Sequence, residues 1–568
     1  MEKMQRISAA YFEKKLSEAK EILDFEQSSY FLEKKDAQEC EYSFSNTTFA
    51  KKRYAGCIMK NRKDMVVDGN DSLFVFRGHL TPFIIDSCQN ITIKNLTIDF
   101  DPPLVAEAEV IACAEEYIDV LIDGKIFPHI CRDNWLYFDI GEEEPCPLWT
   151  YAPIKFGKDL TVAHTFAKSF FIERVEEIDE NTIRFFPAKK ESIKEVGIGE
   201  IFVLRHNKRL HPGIFIENCT NVTLENITIH SCGGLGTLTQ FSKDVTFRNV
   251  KFLPNKEVGR KISGGRDDGM QIVSCRGKIL IEECSFLGLM DDPVNIHGCS
   301  MHVEEIFNNG RTIRARYMHE QAKNFLYYAN PGDIINIINQ KNMNVIESAM
   351  VESWEIESPE VILLHFTEGV CVCDGDYAIE NISNTAEFVC RRNRFGSCRA
   401  RGLLVSTPKK VVIEENLFES SGSAILVAGD ANYWYESGEC HDVTIAKNVF
   451  TNHCLSSMSE FSHGMISICP IILEPLEEHP FHKNIHIKNN VFDTSDTPVL
   501  YAFSTKNLSF TDNIIFANPA RKNESDKTAL LDLSYCNDVT IENNTLVGKY
   551  AGSRIEYEHC NNISGQID

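Results

Sequence analysis

Nine stretches of this chain repeat one pattern: a turn residue, a β-branched residue, a polar one, an aliphatic one, a charged one, then an Asn or Cys leading into a second apolar pair. "CTNVTLENITIH" (219–230), "SKDVTFRNVKF" (242–252) and "TKNLSFTDNIIF" (505–516) show it most plainly. "CQNITIKNLTID" (88–99), "CRGKILIEECSF" (275–286), "PKKVVIEENLFES" (408–420), "CHDVTIAKNVFT" (440–451), "HKNIHIKNNVFD" (482–493) and "CNDVTIENNTLV" (536–547) complete the set. Alternation within each unit has the period of a half-buried strand, and the Asn marks a turn before the next short strand. A single unit has nothing to cover its apolar face, whereas stacked copies bury that face against one another, with turn asparagines hydrogen-bonding from copy to copy. The expected fold class is therefore all-β, a right-handed parallel β-helix. The frequent Asn-X-Thr triplets are read as these turn asparagines rather than as glycosylation sites.

Two regions break the repeat. Residues 103–208 and 300–386 contain alternating strands joined by acidic turns without the Asn unit, and "NNG" at 308–310 is a hairpin signal. Each is expected to form a small antiparallel β-barrel inserted between rungs. The expected order is an N-terminal cap with the first rungs (1–102), β-barrel 1 (103–208), rungs 209–299, β-barrel 2 (300–386) and C-terminal rungs (387–568). "AAYFEKKLSEAKEIL" (9–23) has helical spacing and is expected to cap the solenoid.

A formal net charge of −24 argues against nucleic acid or an anionic membrane as partner, because no Lys/Arg-rich run offsets the repulsive field. It also weighs against acidic polymers as substrates. The charged start "MEKMQRISAAYFEKKLSEAK" has no apolar signal region, and the chain has no run of about 18 apolar residues, so a cytoplasmic location is expected. The 20 cysteines are scattered without CxxC pairs and read as reduced, buried small hydrophobes, so neither a metal nor another cofactor is expected. The strand-rich edges of the insertions suit a homodimer.

Two acidic doublets stand out: Asp267-Asp268 in "GGRDDGMQ" and Asp291-Asp292 in "LMDDPVNIHG". Asp268 lies 23 residues before Asp291 and 24 before Asp292, a separation close to one repeat. Rungs about 4.8 Å apart would then gather the doublets into one cluster. A calcium-binding ladder is the alternative, but the Gly-Asp nonapeptides of calcium-binding β-helices are absent. Clustered carboxylates suit acetal cleavage, in which one carboxyl protonates the leaving oxygen and another activates water; crowding holds the first protonated while a partner stays ionised.

The segment "GGRDDGMQIVSCRGKILIEECSFLGLMDDPVNIHG" (264–298), with "GDANYWYESG" (429–438), resembles glycoside hydrolase family 110. That family consists of exo-acting, inverting, metal-independent α-1,3-galactosidases, best known for removing galactose from blood-group B structures. Its parallel β-helix with two inserted β-barrels matches the organisation above. The resemblance implies Asp268 as general acid, Asp291 and Asp292 sharing the general-base role, and a galactose-terminated oligosaccharide as substrate. The stretch departs from the family pattern at Asp267, where Ala is common, and at Gln271, in a part that usually carries a His.

Candidate substrate contacts are Arg266 and Asp267 beside the acid, Asn295 and His297 at alternate positions after the second doublet, and Tyr433, Trp434 and Glu436 in a Gly-flanked aromatic loop. Arg266 is placed to hold Asp267 or Asp268 ionised, and His297 reads slightly better as a satisfied core or strand-end histidine than as a substrate contact. Two other functions fit the fold: a polygalacturonase-like inverting hydrolase, for which no basic residue is evident to hold a uronate, and a non-catalytic glycan-binding β-helix.

Overall fold

The repeats fold as rungs because their apolar positions recur in one register. In the longer sheet Val222, Val245, Ile279, Phe388, Val411, Val443, Ile485, Leu508 and Val539 are successive parallel partners, and all are buried. A shift of one residue would turn each of these side chains to solvent, so core burial itself enforces the register. The short strand after each Asn adds a column of phenylalanines inside the solenoid. Phe252, Phe286, Phe395, Phe418, Phe450 and Phe492 stack nearly parallel with ring centroids 4.6–5.4 Å apart.

The turn asparagines form ladders between rungs. Asn95, Asn226 and Asn249 adopt positive φ (55°, 53° and 51°), a conformation Asn tolerates better than other side chains. Their amides link neighbouring rungs, Asn249 to Asn226 at 2.8 Å and Asn226 to Asn95 at 3.0 Å. Later rungs carry a buried ladder through Asn393, Asn416, Asn448, Asn490, Asn513 and Asn544, each Nδ2 donating to the next Oδ1 at 3.0–3.1 Å.

The computed structural model describes residues 4–148, 152–164, 170–206, 208–262, 264–322, 325, 327–372, 375–420, 422–451, 463–494, 496–518 and 528–567. Helix Ala9–Glu18 covers the first rungs, with Phe12 packed 5.8–6.1 Å from the rings of Phe25, Phe74 and Phe83. No helix among the described residues is long and apolar enough to cross a membrane. The described cysteines are free thiols, most of them buried.

Between Val105 and Arg205 seven antiparallel strands form one sheet in the order Val162–His164, Ile154–Phe156, Ile201–Arg205, Val105–Cys113, Ile118–Leu121, Thr182–Pro187, Ile172–Glu177. Among the described residues its two end strands do not pair with each other, so the hydrogen-bonded sheet is open rather than closed. The second insertion does close. Val294–Phe307, Thr312–Arg316, Val361–Phe366, Val345–Ser358, Ile334–Asn339 and Tyr377–Asn381 pair in turn, and the last returns to the first. The 14-residue strand Val294–Phe307 belongs to both units. Its start pairs in parallel with Met270–Val273 and its end pairs antiparallel with Thr312–Arg316, so the boundary falls inside a strand.

Candidate active site

On a second face of the solenoid, Met270, Val294, Leu403 and Ile425 are successive parallel partners. Two residues before the first three of them stand Asp268, Asp292 and Arg401. The ladder continues back into these segments: the Gly269 N–H donates to the Asp292 carbonyl at 2.9 Å, and the Gly236 N–H to that of Asp268 at 2.8 Å. Asp267 therefore lies beside Asp291, and Asp268 beside Asp292, so the working register is 24 residues rather than 23. Both doublets occupy bends ahead of their strands, which frees adjacent side chains from facing opposite ways. Gly269 is required by this close approach, since a Cβ there would meet the Pro293 carbonyl oxygen at 2.5 Å.

Guanidinium groups interleave these carboxylates. Asp267 pairs with Arg266, with Arg205 Nη1 at 3.2 Å and with Arg209 Nε at 3.2 Å. Arg209 Nη2 stands 3.2 Å from Asp291 Oδ2 and 3.6 Å from Asp268 Oδ1. Arg399 reaches the other oxygen of Asp291 at 3.2 Å. Arg401 holds Asp292 twice, by its backbone N–H at 2.9 Å and its guanidinium at 2.8 Å. Sequence offered Arg266 as the one basic residue of the site and none to hold a uronate; five arginines line the pocket, and every one contacts a carboxylate of the cluster. The positive centre of the cluster is thus already supplied by Arg209, and among the described residues no group of three or more His, Cys, Asp or Glu side chains is arranged to hold a metal ion.

These surroundings separate the acids chemically. Burial is the largest influence on Asp268 and raises its pKa; Arg209 opposes it, but Asp291, Asp292 and Asp267 push upward again, leaving the group well above the ordinary range. Burial also dominates at Asp292, where Arg401 pulls down and Asp291 and Glu436 push up, with a result of about 6. At Asp267 burial is outweighed by Arg209, Arg266 and Arg205 together, so the carboxylate stays ionised below the ordinary range. One pocket therefore pushes Asp268 furthest toward its protonated form and Asp267 toward its ionised form, with Asp292 between them, a graded set of acids of the kind acid–base chemistry requires.

The pocket has a volume of about 330 Å³. Asn295, Leu404 and Leu426 follow one another in register and form a mainly apolar floor. Glu436 projects over it, accepting hydrogen bonds from Asn46 Nδ2 at 3.2 Å and Asn295 Nδ2 at 3.4 Å. Trp434 lines the rim with its ring 5.0 Å from His319. The Asp430 carboxylate shapes this loop by accepting the backbone N–H groups of Asn432, Tyr433, Trp434 and Tyr435.

Not every candidate reaches the pocket as expected. Tyr433 is 55% exposed and does not line it. His297 lies behind Glu436: the Gln271 amide donates to its Nε2 at 2.8 Å and its Nδ1–H to the Gly298 carbonyl at 2.5 Å, leaving neither ring nitrogen for a sugar. Arg266 and Asp267 line the pocket but are each about 1% exposed, and Asp267 is paired with Arg266, Arg205 and Arg209, so it serves as a buried counter-ion. Arg266, Asp267, Asp268, Asp291, Asp292, Asn295, Trp434 and Glu436 share the pocket.

Sequence reading missed Arg205, Arg209, Arg399, Arg401 and Asn46. Arg399 and Arg401 come one rung after the second doublet, but the second insertion moves Arg401 109 residues from Asp292. Arg205 and Arg209 enter at the exit of the first insertion, in "LRHNKRLHPG", whose basic character inside an acidic chain was the available signal.

Comparison with known proteins agrees with this geometry. A family profile described as a right handed beta helix region matches residues 172–309. Alpha-1,3-galactosidase B of Bacteroides thetaiotaomicron is 36% identical over 94% of this chain and 87% of its own length. Alpha-1,3-galactosidase B of Akkermansia muciniphila is 32% identical over 86% of this chain and 61% of its own length. Alpha-1,3-galactosidase A of Bacteroides fragilis is 29% identical over 98% of this chain and 91% of its own length.

Proposed function

The chain belongs to the alpha-1,3-galactosidases, glycoside hydrolase family 110, and we propose that it removes terminal galactose from α-1,3-linked oligosaccharides by an inverting acid–base mechanism. It is a glycosidase, and its substrate is a carbohydrate. The terminal galactose lies on the floor of Asn295, Leu404 and Leu426, with Glu436 and Asn295 taking hydroxyls and Trp434 stacking on the ring's apolar face. Asp268 passes its proton to the glycosidic oxygen as the bond to C1 breaks. A water on the opposite face attacks C1 and gives up a proton to the Asp291–Asp292 pair, so the product leaves as the β-anomer.

Asp291 is the more accessible of the pair, its side chain 20% exposed against 3% for Asp292, and meets the water first. Asp292, held at both oxygens by Arg401, shares the charge. The nitrogen of Arg209 common to Asp268 and Asp291 keeps those two carboxylate oxygens within about 7 Å of each other, so acid and base face one bond of the substrate.

The observation that carries this reading is one pocket in which the buried Asp268 carboxyl faces Asp291 and Asp292 on the next rung, with Arg209 between Asp268 and Asp291. It is tested by incubating the enzyme with a panel of α- and β-linked galactosides and measuring free galactose. Release from galactose-α-1,3-galactose and none from β-linked galactosides is expected. Cleavage of the β-linked compounds, or of no galactoside, would overturn it.

A further inference from the structure

The first insertion ends at the strand Ile201–Arg205, and four residues later Arg209 enters the pocket. The contacts of Arg209 span both acid-bearing rungs. Its Nε meets Asp267 at 3.2 Å, and its Nη2 meets Asp291 at 3.2 Å and Asp268 at 3.6 Å. Its remaining nitrogen, Nη1, donates to the Asn46 carbonyl at 3.2 Å, and Asn46 in turn donates to Glu436. We infer that Arg209 is a positioning residue for the reaction: a single guanidinium holds the acid and base carboxylates in fixed relation and ties them to the Asn46–Glu436 side of the pocket. The first insertion would then be part of the catalytic apparatus, delivering the cation that spaces the acids.

Two consequences separate positioning from structural support. The planar fork meets three carboxylates and a carbonyl in fixed directions, which an ammonium group cannot reproduce. Its charge also favours the ionised form of both the acid and the base. The groups facing it are Asp267 and Asp268 before the Met270 strand, Asp291 and Asp292 before the Val294 strand, Arg205 and Arg266 beside Asp267, Arg399 and Arg401 before the Leu403 strand, Glu436 from the aromatic loop and His319 from the second insertion. Among these the acids outnumber the arginines once Arg209 is removed. Without its charge the base needs a higher pH to ionise and the acid keeps its proton to a higher pH. Both limbs of the rate profile then move in the alkaline direction.

The inference rests on the carboxylate roles proposed above, and the test keeps the two apart. Full pH profiles of kcat/KM on galactose-α-1,3-galactose are measured for wild type, Arg209→Gln and Arg209→Lys, with Asp268→Asn as reference. Arg209→Gln is expected to shift both limbs upward by about 1–3 pH units, the size of effect a neighbouring opposite charge exerts. Arg209→Lys is expected to keep the limbs in place while kcat falls on the order of 10²-fold through lost alignment. A Gln profile superimposable on wild type, or a Lys variant with wild-type kcat, would overturn the role of Arg209 alone. If Arg209→Gln fails to fold, the Lys variant decides by itself. Wild-type turnover in Asp268→Asn would instead overturn the carboxylate reading.

Discussion

Replacing Asp268 by Asn keeps the side chain's size and removes the proton that the leaving oxygen needs. General-acid assistance is worth about 10²–10⁴-fold, or about 3–5 kcal/mol of activation free energy. The full loss is expected only where the leaving group is a poor one, as with the alkoxide of galactose-α-1,3-galactose. A p-nitrophenyl galactoside expels a stable phenolate and needs little protonation, so its kcat/KM should fall far less. The assay is therefore the ratio of kcat/KM on the two substrates, wild type against variant. An equal loss on both would show that Asp268 supports the pocket without donating a proton, and no loss on either would remove it from the mechanism.

The same variant carries a stability signature. Because the folded state raises the Asp268 pKa well above its ordinary value, the native protein binds that proton more tightly than the unfolded chain does. Stability from this group is present at low pH and is lost as pH rises toward the raised value. Asn never ionises, so the variant should have a higher Tm than wild type at pH 8, with the difference disappearing at acid pH. A variant less stable at pH 8 would contradict the burial argument.

Three further outcomes follow from the geometry. With the Asp292 carboxyl raised to about 6, kcat/KM should decline as pH falls through that value, since the base pair must be ionised; a profile flat down to pH 4.5 would contradict this. Trp434→Ala should raise KM several-fold with a smaller change in kcat, measured on the disaccharide, because it removes a stacking surface at the rim; an unchanged KM would place the sugar elsewhere. Asn448→Ala cuts the buried ladder between Asn416 and Asn490, taking the acceptor from the Asn416 backbone N–H and Nδ2 and the Asn448 Nδ2 donor from Asn490 Oδ1 and the Ile413 carbonyl, a cost of about 3–6 kcal/mol, whereas the outer-ladder change Asn226→Ala should cost under about 1 kcal/mol. Urea denaturation of the two variants checks the difference, and equal losses would refute it.

The solenoid was readable because its constraint is local and repeated: the same alternation places Val222, Ile279, Val411 and Leu508 in one buried column. The acidic cluster was readable for the same reason, since its doublets lie on consecutive rungs with no insertion between them. The choice between 23 and 24 residues depended on where each strand begins, which the alternation alone does not mark. Arg401 was hidden because its partner Asp292 is adjacent only through a register that the second insertion interrupts in sequence. Arg209 and Asn46 arrive from segments outside any repeat, where no periodicity states what they face. Asp267 looked like a substrate ligand because a neighbouring acid resembles the catalytic one; only the three guanidiniums around it reveal a counter-ion.

The most direct test of the split carboxylate site is the anomer formed first. Proton NMR of a rapid digest of galactose-α-1,3-galactose, recorded before mutarotation, should show the β-galactose signal rising ahead of the α signal. An α-anomer appearing first would mean that no water is activated from the face opposite Asp268, and the division into acid on one rung and base on the next would fail.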